Sequence, residues 1–457
     1  MTGVGMEQPG ALKKTLGPLM LWGLGVGYVI SGMYFGWNLG LPEGGPYGML
    51  VASLVVTLMY MAFVFSYAEL ACAIPRAGGA FVYARRSLGP ELGFLAGAAQ
   101  LVEFVFAPPA IAAAIGAYFA IFLPSVNPTL IAVVAYLLFT GMNIWGVKLS
   151  AIFELGITIL AVAELLIFAG VTLPSFSLEA FTADPLPNGW GGVFAALPFA
   201  IWFYLAIEGV ANVAEEARNP QKDIAWGFGS AMLTLVALAT LTFYGAVGVD
   251  GWRSIVYQAG STETSDSPLP LALGHVVGTG HLLYHLLITI GLFGLIASFH
   301  GIILVAGRAT FEFGRVGYAP RFLGKTLKGR QTPAAALVVN MCVGTVALLT
   351  GRTGEIITIA VFGALTLYVV AMVSFFRLRQ KEPDLVRPFR TPLYPWVPGV
   401  ALVLSAVCLV AMTVYNPLLA AIYAGLLVLG YLWFYTLVPK AVREQNFGLD
   451  VEEGGGE

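Results

Sequence analysis

The chain has 457 residues, of which 58% are hydrophobic and only 11% are charged, and its formal net charge is −2. Soluble domains carry about a quarter of charged residues, so this composition excludes a water-soluble globular protein and indicates a membrane protein. The small negative net charge also argues against nucleic acid as a partner.

Twelve apolar runs are predicted to cross the membrane. A helix needs about 20 apolar residues to span the hydrocarbon core, and helices satisfy their backbone hydrogen bonds internally in lipid. The alternation expected of a β-barrel is missing from the sequence, so the predicted fold class is an all-α membrane protein of about 12 transmembrane helices. The spans are predicted at 17–40, 46–73, 91–123, 128–146, 149–173, 191–215, 225–248, 277–313, 334–350, 355–377, 397–415 and 417–438.

The basic residues predict the orientation of this bundle. An even number of spans puts both chain ends on one side, and 20 of the 23 lysines and arginines fall in the tails and even-numbered loops. The opposite loops hold Arg253 and Arg352, and Arg308 lies in span eight. The positive-inside rule therefore predicts cytoplasmic tails at 1–16 and 439–457.

Glycine is predicted to interrupt span one. Four glycines lie between Gly23 and Gly32, and each costs roughly 1 kcal/mol relative to alanine while allowing another backbone or a ligand to approach closely. The pattern predicts a broken helix near mid-membrane depth, with close helix packing through small residues as the alternative.

Span six carries a second predicted interruption. Pro198 precedes an aromatic stretch that begins at Trp202 and ends at the Glu208–Gly209 pair. Paired interruptions at corresponding positions of two halves are typical of inverted-repeat transporters, whose site lies between the broken helices. Freed amides favour an anion and freed carbonyls a cation, so a small zwitterion or amine is the expected ligand.

The predicted spans contain Glu103, Glu154, Glu164 and Glu208, at depths where charged groups are costly and face protein or water. Glu208 can pair with a substrate ammonium, hold a proton, or cap freed amides. Glu103 either faces the same cavity or forms hydrogen bonds as a neutral acid. Glu164 is a candidate proton site, whereas Glu154 is nearer to the cytoplasmic end and is predicted to be structural.

Histidine and aromatic side chains add further candidates. His300 in span eight can relay protons or hydrogen-bond to a neighbouring helix. Five aromatic residues can surround an ammonium by cation–π contact or pack as ordinary membrane core. They are Trp202, Phe203, Tyr204, Phe293 and Phe362.

Acidic and basic residues at the cytoplasmic helix ends predict an ion-pair gate, with solvated helix ends as the alternative. The candidates are Glu69, Glu215, Glu216, Arg76, Arg85, Arg86 and Arg218. A phosphate-binding loop, a metal cluster and a nucleophile elbow are all missing from the sequence. No cofactor or metal is therefore predicted, and energy is expected to come from an ion gradient or from exchange.

Several motifs resemble the amino acid–polyamine–organocation superfamily over nearly the whole chain. They are Ile30-Ser31-Gly32; Glu69 with Pro75, Gly78-Gly79 and Tyr83; Glu208 with Ala214-Glu215-Glu216 and Asn219-Pro220; Gly314 with Pro320 and Thr332-Pro333; and Arg387-Pro388-Phe389-Arg390 with Pro395. Within the superfamily, residues 34–38, 65–69 and 103–109 are most similar to bacterial ethanolamine permeases.

The resemblance implies a LeuT-like fold that works by alternating access. Residues 17–173 and 191–377 would form a five-plus-five inverted repeat with broken helices one and six, and 397–438 two extra helices. Residues 29–33 and 202–208 would hold the ligand. The substrate-binding candidates are Val29, Ile30, Ser31, Gly32, Met33, Glu103, Trp202, Phe203, Tyr204, Glu208, Phe293 and Phe362.

The coupling ion is less well defined, because proton-coupled relatives often place a lysine in span five where this chain has Ala161. The candidates for proton coupling are Glu208, Glu164 and His300.

The sequence thus predicts a secondary transporter that imports a small amine, ethanolamine, across the bacterial cytoplasmic membrane, either coupled to protons or by exchange. The partners expected are the amine, H⁺ as coupling ion, and membrane lipid. The alternatives are an amino acid permease of the same superfamily and a membrane-embedded enzyme acting on lipid headgroups, which would need buried acid–base groups and a nucleophile or metal.

Overall fold

The computed structural model describes residues 16–445 except 77, 147–150, 259, 328, 329 and 331. Within that part of the chain, regular structure is helical, with two isolated β-bridges and no strand. The α-helices are α1 (Pro18–Val29), α2 (Ser31–Tyr34), α3 (Leu41–Ala73), α4 (Ala80–Leu88), α5 (Pro90–Ala120), α6 (Pro128–Trp145), α7 (Ala151–Thr172), α8 (Leu178–Phe181), α9 (Gly189–Ala195), α10 (Leu197–Trp202), α11 (Pro220–Asp250), α12 (Trp252–Val256), α13 (Pro268–Val277), α14 (Leu282–Arg315), α15 (Ala334–Leu348), α16 (Thr353–Lys381), α17 (Trp396–Tyr415), α18 (Pro417–Thr436) and α19 (Lys440–Glu444). Three 3-10 segments cover Trp37–Gly40, Leu173–Ser175 and Ile207–Glu216.

The chain is a multi-pass membrane protein. Nine of the helices formed by the described residues are long and apolar enough to cross a membrane, and three shorter apolar stretches cover Pro18–Tyr34, Pro268–Val277 and Ala334–Leu348. α16 lies at the centre of the bundle, since its apolar stretch is 89% buried, whereas that of α18 is 11% buried and lies at the periphery. The all-helical prediction agrees with this architecture.

Two predicted boundaries are wrong. Span eight was expected at 277–313, but α14 begins at Leu282, and the residues before it form the separate helix α13. Pro268 starts that helix and Gly278, at φ +80°, ends it. The loop expected after span two also contains a helix, α4, which packs against α5 and α16.

Both ends of the described chain lie at one face of the bundle, here called the terminal face. The Leu16 N–H donates to Glu216 O at 2.9 Å, and the Arg218 N–H donates to Leu16 O at 2.8 Å. Near the other chain end, Arg85 of α4 donates to Arg443 O at 3.0 Å. The predicted tail 1–15, Lys148, Lys328 and residues 446–457 lie outside the described residues.

A cavity of about 1270 Å³ lies at the terminal face. Its wall is formed by the end of α3, by α4, by the start of α11 and by the connection that follows α16. Arg86, Arg218 and Lys381 are among the lining residues.

Candidate functional site

The crossing that contains Pro198 is broken. It runs as α9, α10 and the 3-10 segment Ile207–Glu216, which starts after Ala206 at φ +76° and ψ +7°. A left-handed residue other than glycine costs roughly 1–2 kcal/mol, and 3-10 runs longer than three or four residues are uncommon. Such a backbone persists only where surrounding packing holds it, as it does at many binding sites.

The interruption in the first crossing is smaller and lies later than the glycine pattern predicts. Ile30 separates α1 from α2 but keeps helical dihedrals, and the chain leaves the helix at Phe35 and Gly36, where φ is +88°. Gly32 has a packing role, because an added Cβ would overlap the backbone carbonyl of Trp202. Glycine there lets α2 lie directly against α10.

Other predicted residues of this segment are engaged within the protein. Ser298 Oγ of α14 lies 2.8 Å from Tyr28 O and 2.9 Å from Ser31 Oγ. Met33 O accepts from Trp37 Nε1 at 3.0 Å. Val29 and Ile30 are buried. The first crossing is thus fixed to α14 and to its own continuation.

Two carboxyl groups meet beside the break after α10. Glu103 of α5 is fully buried, Glu208 of the 3-10 segment is 2% exposed, and the two carboxyl groups are neighbours. Tyr368 of α16 donates to Glu208 Oε2 at 2.9 Å. Within the described residues, both oxygens of Glu103 and Oε1 of Glu208 have no hydrogen-bond partner. Unpartnered buried acceptors of this kind indicate a missing proton or cationic ligand.

Hydroxyl groups and aromatic rings surround this carboxyl pair. Tyr60 Oη lies 3.0 Å from Tyr368 Oη, and the Tyr60 ring packs 5.3 Å from that of Tyr204, whose hydroxyl lies 2.8 Å from Thr57 Oγ1. Nothing in the sequence singled out Tyr60 or Tyr368 among its 19 tyrosines. Their importance comes from contacts across 160 or more residues.

Aromatic side chains also pack between the first and sixth crossings, next to the break in each. Trp202 packs edge-on against Phe35 at 5.4 Å, and Phe203 stacks on Trp37 at 5.6 Å. Trp202 Nε1 is buried and has no hydrogen-bond partner among the described residues. The predicted aromatic stretch therefore lines the region between the first and sixth crossings.

Two predicted aromatic residues lie elsewhere. Phe293 is 51% exposed on the outer surface of α14. Phe362 is buried, but it stacks on Tyr423 of α18 at 5.5 Å. Around Phe293 the sequence of α14 is almost entirely apolar, so it carries no periodic signal there that tells the lipid-facing side from the inner one. The assignment of Phe293 to the substrate site is therefore wrong.

His300 also lies apart from the carboxyl pair. Asn143 Nδ2 of α6 donates to its Nδ1 at 3.1 Å, so His300 links two helices. Glu164 of α7 accepts from Tyr34 of α2 at 2.7 Å and lines a small cavity with Tyr118. Glu164 therefore lies in a second acidic site, towards the end of α2.

Glu154 was predicted to be structural, yet its surroundings are unusual. It is 4% exposed, and its Oε1 has no hydrogen-bond partner within the described chain. The side chain lies against Gly27 of α1 and near Gly301 of α14. Its position in the sequence, one turn into a span, gave no hint of this contact.

The predicted ion-pair gate is replaced by other pairings. Glu69 accepts two hydrogen bonds from the Arg379 guanidinium, each 2.7 Å long. It also accepts one from the Thr391 backbone N–H at 2.7 Å and forms an ion pair with Arg387 at 3.3 Å. These partners follow Glu69 by more than 300 residues, whereas the predicted ones were its near neighbours in sequence. Burial lowers the pKa of Arg387, and the Glu69 carboxylate opposes that shift.

The other gate residues are divided among several contacts. Arg86 pairs with Glu382 at 2.6 Å and Glu216 pairs with Arg308 at 3.3 Å. Arg85 donates to the Tyr318 hydroxyl, and Arg76 and Arg218 are exposed. The side chain of Glu215 lies outside the described part of the chain. Within that part, no group of three or more metal-binding side chains occurs.

Residues 16–439 match the family described as amino acid permease. A relative from Rhizobium meliloti, described as an uncharacterized transporter, is 30% identical and covers 94% of each chain. A branched-chain amino acid permease of Bacillus subtilis is 26% identical over 86% of each chain. A methylthioribose transporter of Bacillus subtilis is 25% identical, over 87% of this chain and 88% of its own. Two relatives with nearly the same sequence identity to this chain are thus named for different substrates.

Proposed function

This chain belongs to the amino acid permease family, and we propose that it is a secondary transporter of a small amine, ethanolamine, held between Glu103 and Glu208. The observation that carries the proposal is the buried carboxyl pair beside the break at Ala206, with three oxygens unpartnered among the described residues. An alkylammonium brings three N–H donors and one positive charge, which together meet the needs of such a pair.

An amino acid is the second candidate substrate, favoured by the name of the branched-chain amino acid permease that this chain resembles. Its carboxylate would lie close to both glutamates. At a separation of 5 Å and an effective dielectric constant of 20, each such repulsion costs about 3 kcal/mol. Ethanolamine places a neutral hydroxyl there instead, so the acidic pair favours the amine.

The proposal includes alternating access. The cavity at the terminal face and the aromatic contacts around Trp202 at the other side support a form that opens towards the terminal face. The predicted 12 crossings, the repeats at 17–173 and 191–377, cytoplasmic termini and a location in the bacterial inner membrane belong to the same proposal. Transport would be driven by protons or by exchange.

Uptake of labelled ethanolamine into proteoliposomes tests the proposal. Glu103→Gln and Glu208→Gln are expected to reduce uptake about 10- to 100-fold, because each removes a charge-assisted hydrogen bond of roughly 1.5–3 kcal/mol. Unlabelled ethanolamine is expected to compete with uptake, and neutral amino acids are not.

Glu91→Gln is the matched control, since Glu91 is exposed at the start of the same helix α5. It is expected to transport like the wild type. If amino acids compete with uptake and ethanolamine does not, the substrate is an amino acid, the second candidate. Wild-type uptake in both glutamine variants would show that the carboxyl pair does not bind the substrate.

A further inference from the structure

The protonation of the Glu103–Glu208 pair follows from its burial: two buried acids side by side do not both carry a negative charge when no amine is bound. Glu103 and Glu208 are neighbouring buried carboxyl groups with almost no access to water, and three of their four oxygens accept no hydrogen bond from the described residues. Two neighbouring carboxylates repel each other strongly where water is excluded and cannot screen them. Without a cation beside them, the two groups cannot both be ionised at modest cost, so the pair retains at least one proton when no amine is bound.

Among the residues that the structure describes, no basic side chain forms an ion pair with either glutamate. The titratable side chains near the pair are Tyr60 and Tyr67 of α3, Tyr368 of α16 and Tyr423 of α18. The basic side chains of α14 are engaged elsewhere, His300 with Asn143 and Arg308 with Glu216. The ion pairs of the described residues include neither Glu103 nor Glu208.

A bound ammonium needs the same oxygens as that proton. It supplies the positive charge that lets both glutamates ionise, and its N–H groups need acceptor oxygens that a carboxylic acid O–H would occupy. Tyr368 also favours the ionised state, because it donates to Glu208 Oε2 and thus receives its own hydrogen bond from Tyr60.

We propose that amine and proton compete for the Glu103–Glu208 pair, so that the protein exchanges an alkylammonium for H⁺ instead of carrying the two together. This inference rests on the proposed function and adds its coupling. In the binding step, RNH₃⁺ joins a pair that holds one proton, that proton leaves to solvent, and the total charge of the site is unchanged. Such a carrier moves one amine cation across the membrane in one direction and one proton in the other, so each cycle moves no net charge.

Proton release on binding tests this exchange. The purified protein is titrated with ethanolamine hydrochloride near pH 6 by calorimetry in two buffers of different ionisation enthalpy. The difference between the two apparent binding enthalpies gives the number of protons released, while either titration alone gives the Kd. We expect about one proton per bound amine, and a Kd that rises about tenfold for each unit by which the pH falls.

The variants assign the proton to its group. In Glu103→Gln and Glu208→Gln, binding is expected to be weaker and proton release to fall well below one, since a single carboxylate has no partner to repel it. Glu91→Gln is expected to keep the wild-type value. Release that persists in both pair variants but is lost in Glu164→Gln would place the proton at Glu164 and overturn the assignment.

The outcomes separate this inference from the proposed function. Binding of ethanolamine without proton release, or with proton uptake, would refute exchange at the pair while leaving the amine substrate intact. Failure of ethanolamine to bind in either buffer would refute the proposed function and the exchange with it. The primary measurement uses the wild-type protein, so it does not depend on the folding of any variant.

Discussion

At the scale of single residues, the carboxyl groups of this protein fall into two classes. Glu69 is surrounded by arginines and a backbone amide, whereas Glu103 and Glu208 have each other and a tyrosine. The first arrangement fixes a charge in place. The second leaves three carboxyl oxygens without a donor among the described residues, which is why the pair rather than the ion-paired glutamate is the candidate site.

Asp266, in the connection between α12 and α13, gives a pH-dependent prediction. Burial raises the pKa of this carboxyl from 3.8 to about 6, although the Thr353 hydroxyl donates to it at 2.9 Å. A raised pKa means that the folded protein binds the proton more tightly, so the contribution to stability is full below pH 4 and is lost as the pH rises through about 6. The loss is at most about 3 kcal/mol.

Asp266→Asn is therefore expected to raise the melting temperature at pH 7.5 and to have little effect near pH 4. Thermal unfolding in detergent across this pH range measures the difference. Glu263→Gln is the control, because Glu263 is exposed in the same connection. Equal melting temperatures of Asp266→Asn and wild type at every pH would show that burial of the carboxyl has no energetic effect.

At the scale of elements, the connection after α16 is fastened to the end of α3. Arg379, Arg387 and Thr391 all contact Glu69, whose side chain is 2% exposed. Removing one partner of a buried ion pair typically costs 3–5 kcal/mol, because the remaining charge stays buried. The connection that lines the terminal-face cavity thus depends on one carboxylate.

Glu69→Gln is expected to destabilise the protein by about 3 kcal/mol without weakening ethanolamine binding. Thermal unfolding and calorimetric titration measure the two effects separately. Glu355→Gln breaks an exposed pair with Arg352 and is expected to change stability by less than about 1 kcal/mol. A large loss of affinity in Glu69→Gln at unchanged stability would assign Glu69 to the site instead.

Part of this arrangement was predictable from the sequence, for identifiable physical reasons. Long apolar runs must be helices in lipid, and Pro198 with the residues around Glu208 predicted an interruption close to where Ala206 adopts φ +76°. The partners of Glu69 and the inward or outward direction of Phe293 were not predictable. Both depend on tertiary packing between distant helices, and a uniformly apolar helix carries no record of it.

At the scale of the whole molecule, both described ends lie at the face that contains the large cavity. The distribution of basic residues predicts that this face is cytoplasmic. Asp384 lines the cavity at that face and is exposed. Glu263 is exposed in the connection between α12 and α13, which contacts the opposite end of the bundle through Asp266 and Thr353.

Cysteine labelling tests this orientation. In a background with Cys72, Cys342 and Cys408 replaced by alanine, Glu263→Cys is expected to react with an impermeant maleimide on intact cells, and Asp384→Cys is expected to react only after the membrane is opened. The reverse pattern would invert the orientation. Reaction of both positions on intact cells would contradict their placement at opposite faces.

The ten residues Ile207–Glu216 give the sixth crossing a segment whose length depends on its helix type. A 3-10 helix rises about 2.0 Å per residue and an α-helix 1.5 Å, so rewinding the whole segment would shorten it by about 5 Å. Glu208 stands near one end, and Glu216, paired with Arg308 and tied to Leu16, stands at the other. With that far end anchored, rewinding the residues between Glu216 and Glu208 would move the Glu208 carboxyl by about 4 Å along the helix axis, without rotation of a whole helix.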